Sequence, residues 1–279
     1  MTITYRFYES KKDLQRQIDF WMKCTKLLPY AWKPTISPNI FIEHENFHPK
    51  SRCFAFDGNQ MVGYMSFTGS KEFVSLGYPW VLPGYEGIIQ DELFKRVYGF
   101  AESDEFGAKL FAQRFRSDWK EQIDFFLYKG FEVNRRSPIL IKELSESNHT
   151  NVSKVENNFQ FDKWANVIKQ SEVVTEEQLS MMKEYYGSVQ FDFSISFENE
   201  GYFGVTVRTD TDYAEILAVA VKKDMTKFLD MVNHVLKECQ NRGVKVVGIA
   251  ESHVPNKESL EDLGFLVLTE DVMLMKQKK

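Results

Sequence analysis

The sequence contains few cysteines and no long apolar run. Its three cysteines, Cys24, Cys53 and Cys239, are odd in number and far apart, which argues against a disulfide framework and favours free thiols in a reducing compartment. No apolar run approaches the length of a membrane span, and the first residues, MTITYRFYESKKD, lack a basic segment followed by an apolar one. We therefore expect a cytoplasmic protein that does not enter the membrane.

A strong excess of one charge sign is also missing. The chain has 35 Lys and Arg against 40 Asp and Glu, a net charge of −5, which argues against broad binding along a nucleic-acid backbone. Aromatic residues, in contrast, are abundant: they make up 15% of the 279 residues and include 24 Phe. This composition is typical of a folded protein with thick strand-and-helix cores, long enough for one large or two ordinary domains.

A polar segment divides the sequence into two halves. Residues 145–158, SESNHTNVSKVENN, have almost no apolar content, so we predict a first domain over residues 1–146, a linker over 147–158 and a second domain over 159–279. Both halves show a hairpin, a long strand, a helix, a strand, a short helix before Gly-Phe, and a last strand. The predicted fold class is α/β (α+β), each half being a mixed, mostly antiparallel sheet with helices on both faces.

The most informative stretch is residues 72–94, EFVSLGYPWVLPGYEGIIQDELF, which is typical of a strand, a tight turn and a helix. Gly77 and Pro79 interrupt the strand, because proline lacks a ladder donor and glycine often marks a bulge, so we expect the strand to bend near Tyr78. The helix follows a glycine-bearing turn directly and would offer unpaired N–H groups to an anion. These features do not identify that anion.

Two further patterns are candidates for chemistry. Glu72, at the start of the same strand, could act as a general base through water. The segment from His44 to His48, HENFH, matches the zinc-peptidase pattern HExxH, although Pro49 would end a helix at once. A zinc metallopeptidase is therefore a remote alternative, and we otherwise expect no metal.

In element order, the two halves resemble two N-acetyltransferase domains of the GNAT superfamily in series. The hairpin before a long strand, the VLPGYEG turn before a helix, and the Gly130-Phe131 and Gly264-Phe265 pairs support the resemblance. It implies that the strand parts from its neighbour at the Gly77 bend and that acetyl-CoA, as cosubstrate, lies in the gap. The implied cofactor-binding residues are Trp80, Val81, Leu82, Gly84, Tyr85, Glu86, Gly87, Ile88 and Ile89.

The resemblance also implies an activity, acetyl transfer from acetyl-CoA to an amine by direct attack. The acceptor would be a small molecule or a peptide. Backbone N–H groups near Val81 and Leu82 would polarise the carbonyl, Glu72 would help to remove the proton from the amine, and Tyr128 would protonate the thiolate. Glu215 and Glu251 carry the same proposal as Glu72 in the second half.

The sequence departs from the family pattern at three places. Glu86 stands where the family's loop has arginine or glutamine, residues 221–226 of the second half contain no glycine, and Phe126 and Leu260 stand where many members have an acid tyrosine. The first half is therefore the better candidate for acetyl-CoA. The alternative is a pair of catalytically inactive domains that serve as a binding or interaction protein. The oligomeric state is left open.

Overall fold

The computed structural model describes residues 2–30, 47–145, 155–171, 173–198, 200–208, 210–222, 225–254 and 257–278. The chain forms two compact units. Unit 1 consists of Met1–Pro29, Ser37–Arg136 and Asp271–Lys279, and unit 2 consists of Tyr30–Ile36 and Ser137–Glu270. The C-terminal segment thus belongs to unit 1, although it follows unit 2 in the sequence.

The elements that belong to unit 1 up to α3 are β1 (Ile3–Phe7), α1 (Lys11–Thr25), β2 (Arg52–Asp57), β3 (Gln60–Gly69), β4 (Val74–Leu76), β5 (Trp80–Val81), α2 (Ile88–Glu102), β6 (Leu110–Arg116) and α3 (Lys120–Tyr128). Strand β7 (Glu132–Glu143) begins in unit 1 and ends in unit 2. The elements of unit 2 that follow are β8 (Val155–Glu156), α4 (Phe161–Ser171), α5 (Glu176–Ser188), β9 (Phe193–Phe197), β10 (Gly201–Arg208), β11 (Tyr213–Val221), α6 (Met225–Asn241), β12 (Val246–Ala250) and α7 (Lys257–Asp262). Strand β13 (Leu266–Gln277) begins in unit 2 and ends in unit 1.

The sheet of unit 1 has the order β1-β2-β3-β4-β6-β13, and β5 pairs with β3. Its described pairings are antiparallel except for the parallel pair β4–β6. Helices cover both faces: Tyr64 of β3 meets Phe20 of α1, whereas Phe67, which points to the opposite face, meets Phe100 of α2. This arrangement is the one that the sequence predicts.

The sheet of unit 2 has the order β7-β12-β11-β10-β9-β8, with β11–β12 parallel. One face packs against α6 through Phe228 and Val232, and the other packs against α4 through Trp164. The predicted mixed sheet with helices on both faces is therefore confirmed in this unit as well. Among the described helices, none combines the length and the apolar character that crossing a bilayer would require.

Some local features differ from the predictions. Helix α4 is not among the predicted elements, and Val155–Glu156, which falls inside the predicted linker, pairs with β9. The sequence predicts that Ile123, Phe126 and Leu127 of α3 all point inward; Ile123 and Phe126 are buried, but Leu127 is 41% exposed. Most of the predicted linker over 147–158 lies outside the described residues. The sequence also predicts a brief helix over residues 39–47, and most of that segment is likewise not described.

Candidate functional site

The strand that contains Gly77 is broken by a bulge. Strand β3 pairs with β4 as far as Phe67↔Leu76 and resumes with β5 at Tyr64↔Trp80, so residues 77–79 include one residue more than β3 opposite them. The N–H of Gly77 donates to the Ser66 carbonyl at 2.6 Å. A Cβ atom at position 77 would lie 2.8 Å from that same oxygen, which explains why glycine stands here. The bend that the sequence predicts near Tyr78 is therefore present.

A gap opens beside this bulge. Strand β4 pairs with β6 at Val74↔Phe111 and Ser75↔Ala112, whereas β5 pairs with β3 alone among the described strands. We call the separation between β5 and residues 113–116 of β6 the gap. The Leu82 N–H donates to the Val62 carbonyl at 2.9 Å, so strand alternation turns the N–H and C=O of Val81 away from β3. The Val81 carbonyl accepts a contact from the Cys24 thiol at 3.8 Å.

Aromatic side chains line the gap. This gap cluster consists of Tyr78, Trp80, Phe115, Trp119 and Phe125. The Tyr78 ring lies at its centre, with centroids 4.8 Å from Trp80, 5.4 Å from Phe125 and 6.2 Å from Phe115. The Trp119 indole N–H donates to the Pro29 carbonyl at 2.8 Å. Aromatic rings from β5, β6 and α3 thus pack together beside the gap.

Gln90 ties the gap cluster to the start of α2. Its Nε2 donates to the Tyr78 hydroxyl at 2.7 Å and to the Pro79 carbonyl at 3.3 Å, and its Oε1 accepts from the Gly87 N–H at 3.1 Å. Burial raises the pKa of Tyr78 to about 12, although the hydrogen bond from Gln90 acts in the opposite direction. Tyr78 is therefore neutral at physiological pH. Gln90 is not among the residues that the sequence predicts for the site. The one feature of the sequence that points to it is its place three residues after Gly87, the N3 position of a helix start.

The turn between β5 and α2 is compact and closes on itself. Gly84 and Gly87 have φ values of +89° and +73°, in the left-handed region that favours glycine. The Glu86 carboxylate folds back onto the turn, where its Oε2 accepts from the Gly84 N–H at 2.8 Å. The Tyr85 hydroxyl donates to Asp57 Oδ2 at 2.9 Å. The acidic side chain at the helix start is thus bonded to backbone that the sequence predicts to bind an anion.

The two proposed proton-transfer residues lie outside the gap cluster. Glu72 precedes β4 and forms an ion pair of 2.7 Å with Lys109, both side chains being exposed. Tyr128 is the last residue of α3 and is 85% exposed. Among the described contacts, none joins either side chain to the gap cluster, since Glu72 meets Lys109 and Tyr128 meets Lys129.

Unit 2 repeats part of this geometry. The parallel pairing of β11 with β12 ends at Ile216↔Ile249, beside a register shift between Gly204 and Val205 of β10. Glu215 is buried in β11 and accepts from the Tyr213 hydroxyl at 3.1 Å, and Glu251 lies in a 3-10 turn directly after β12. The turn after β11 has no glycine and lies partly outside the described residues.

The zinc hypothesis depends on residues that are mostly not described. Residues 44–46 of the HENFH segment lie outside the described part of the chain, and His48 accepts from the Lys50 N–H at 3.1 Å. Among the described residues, no three His, Cys, Asp or Glu side chains lie together as a metal site would require.

Comparison with known proteins identifies the fold. No protein-family model matches the sequence, and no curated protein matches it. Among solved structures, the chain is similar to a tandem GNAT protein from the clavulanic acid biosynthesis pathway, with a TM-score of 0.67 and 12% identity over 100% of this chain and 99% of that chain. This chain has the tandem GNAT fold. The fold that the sequence predicts is confirmed.

Two further solved structures share the fold. The GCN5-related N-acetyltransferase from Sphaerobacter thermophilus aligns with a TM-score of 0.57 and 12% identity over 99% of this chain and 96% of that chain. The N-myristoyltransferase of Saccharomyces cerevisiae, solved with bound myristoyl-CoA and inhibitors, aligns with a TM-score of 0.58 and 8% identity over 99% of this chain and 80% of that chain. At these identities the likeness concerns the tandem GNAT fold, and the activity has to be argued from the site.

Proposed function

We propose that this tandem GNAT chain is an acyl-CoA-dependent N-acyltransferase, which transfers an acetyl group from acetyl-CoA to the amine of a small molecule or peptide. Unit 1 holds the CoA. The observation that carries the proposal is the gap: β5 stays on β3 while β6 parts from it, and β5 leads directly into a glycine turn and the start of α2. CoA has a neutral arm with amide groups and an anionic pyrophosphate. The arm requires a free backbone edge, the pyrophosphate requires a helix start, and the two features lie side by side here.

The backbone on the gap side of β5 fits such an arm. Acyl-CoA supplies the acyl group as a thioester, and the Val81 N–H and C=O, which point away from β3, are the groups we assign to it. The Leu82 N–H is used by the Val62 carbonyl, so Val81 is the residue of this pair that we assign to polarise the acyl carbonyl. The backbone N–H groups of residues 84–89 would hold the pyrophosphate.

Direct attack of the amine on the thioester requires two proton transfers. The amine nitrogen forms the new bond to the acyl carbon, the C–S bond breaks, the amine loses a proton and the thiolate takes one up. We propose Glu72 as the proton acceptor, through water, and Tyr128 as the donor. These roles predict that Glu72→Gln and Tyr128→Phe each lower kcat about 100-fold. An unchanged kcat would remove the role from that residue.

Isothermal titration with acetyl-CoA up to millimolar concentration tests the proposal. We expect saturable binding, followed by amine-dependent release of free CoA thiol when an amine panel is added. The absence of any binding at millimolar acetyl-CoA would overturn it.

The second candidate is a catalytically inactive binding or interaction protein. The bond of Glu86 to Gly84 favours this alternative, because it occupies a donor that the pyrophosphate would use. Binding of CoA without transfer to any amine of the panel would support it over the enzyme. For either function we propose a cytoplasmic location without nucleic-acid or membrane partners, in keeping with the three free thiols and the net charge.

A further inference from the structure

Three backbone donors of the turn before α2 are already in use. The Gly84 N–H donates to Glu86 Oε2 at 2.8 Å, and the Gly87 N–H donates to Gln90 Oε1 at 3.1 Å. The Tyr85 N–H donates to the Leu82 carbonyl at 3.1 Å. An anionic ligand at this helix start must therefore compete with acceptors that the chain itself provides.

We infer that Glu86 is a built-in competitor of the CoA pyrophosphate, an internal anion that lowers the affinity of unit 1 for CoA. The inference rests on the proposed function. It follows from two effects of the same carboxylate, which occupies the Gly84 donor and adds a negative charge to a turn whose ligand is negative.

The Glu86 side chain can leave the turn more easily than the Gln90 side chain. Glu86 is exposed, so water replaces its hydrogen bond to the Gly84 N–H when the side chain rotates outward. Gln90 is buried and also holds Tyr78, so it stays in place. A Cβ atom added at Gly84 or Gly87 would meet nothing within 4 Å, so the described chain leaves the outer side of the turn open. Movement of Glu86 alone thus frees the Gly84 N–H for a ligand.

Titration of CoA and of dephospho-CoA into wild type, Glu86→Gln and Glu86→Ala tests this inference. Both ligands carry the pyrophosphate, and only CoA carries the 3′-phosphate. We expect both variants to bind both ligands roughly tenfold more tightly than wild type at low salt, because a nearby like charge is removed. The ratio should shrink towards one as salt is raised, because the repulsion is screened.

Glu121→Gln is the matched control. Glu121 lies in the first turn of α3, is exposed, and acts electrostatically on Tyr78 as Glu86 does, but it has no described bond to the turn. The affinity of the Glu121→Gln variant for both ligands should stay within about twofold of the wild-type affinity.

Three results would overturn the inference and leave the proposed function standing. The first is CoA binding of equal affinity in wild type and in both Glu86 variants. The second is a gain in affinity in Glu121→Gln that equals the gain in the Glu86 variants. The third is a gain in affinity of the Glu86 variants for CoA but not for dephospho-CoA. A chain in which neither wild type nor either variant binds any ligand would remove the proposed function and this inference together. Saturation of the Glu86 variants at a CoA concentration that leaves wild type mostly unbound would support the inference most strongly.

Discussion

Gly77 is the residue on which the bulge depends. Its hydrogen bond to the Ser66 carbonyl is short, and a side chain at this position would contact backbone, which has little freedom to move. A glycine in a strand otherwise weakens it, so its presence here marks a close approach of two backbones.

Gly77→Ala should destabilise the protein by about 2 kcal/mol in urea unfolding, because its Cβ would lie 2.8 Å from the Ser66 oxygen. Gly99→Ala is the control: Gly99 is exposed in α2 with nothing within 4 Å of its Cβ position, so alanine there should be neutral or stabilising. Equal effects at the two positions would contradict the close approach.

The buried hydroxyl of Tyr78 predicts a pH dependence. Its folded pKa of about 12 exceeds the unfolded value of 10.0, so the folded state keeps the proton longer. The resulting stabilisation is complete below pH 10 and is lost as the pH rises from 10 towards 12.

Tyr78→Phe should therefore be less stable than wild type by about 1 kcal/mol at pH 7, where the bond to Gln90 is lost. Between pH 10 and 11 this difference should shrink by about 1 kcal/mol and so disappear by pH 11, because the wild type alone has this group to titrate. Unfolding curves of both proteins at pH 7, 9, 10 and 11 check this. A difference that is constant over this range would show that Tyr78 is not buried as described.

At the scale of elements, the end of β13 completes the sheet of unit 1. Residues Asp271 to Gln277 pair with β6, and the first pair, Asp271↔Arg116, is also an ion pair of 2.7 Å. The two side chains are 9% and 1% exposed, so this is a buried charge pair. Removal of one partner from such a pair is far more destabilising than loss of a surface pair.

Asp271→Asn should lower the unfolding free energy by about 3 kcal/mol, because the Arg116 guanidinium stays buried without this carboxylate. The exposed Glu72–Lys109 pair provides the control, and Lys109→Gln should change stability by less than about 1 kcal/mol. Chemical denaturation of the two variants measures both values, and a loss below 1 kcal/mol in Asp271→Asn would argue against a buried pair.

The elements with strong local signals are predictable from the sequence. The break near Tyr78 is one, because glycine and proline are the residues that a strand ladder tolerates least. Helix α4 carries Phe161, Trp164, Ala165 and Ile168 at helical spacing, so its pattern indicates a helix although the prediction omits it. The omission reflects the polar segment that precedes it.

The details of the candidate site could not be predicted in this way. Gln90 is buried because its amide has partners at Tyr78 and Gly87, and no periodic pattern reports such a pairing across an element boundary. The position of Glu86 depends on one side-chain rotamer and one backbone donor. The sequence indicates a carboxylate at the turn but not the direction in which it points.

At the scale of the whole molecule, unit 1 is assembled from three separate segments of the chain. The last segment, Asp271–Lys279, reaches it only after unit 2 has been synthesised. A domain boundary placed in the polar linker therefore leaves β6 without the partner that it has in the complete chain.

A chain truncated after Glu270 should lose the cooperative unfolding of unit 1 and expose the edge of β6. Truncation after Gln277 is the control, since it keeps every described pair of β13 with β6. Hydrogen exchange of β6 amides in the two truncated chains distinguishes them, and equal protection of β6 would contradict the role of the segment.

The central claim is that CoA binds at the gap of unit 1. Hydrogen exchange with and without saturating acetyl-CoA tests it most directly, since it reports the location of binding as well as its occurrence. Bound acetyl-CoA should slow exchange in residues 78–89, which cover β5, the glycine turn and the start of α2. Slower exchange confined to the turn after β11, or no change in either unit at millimolar acetyl-CoA, would contradict it.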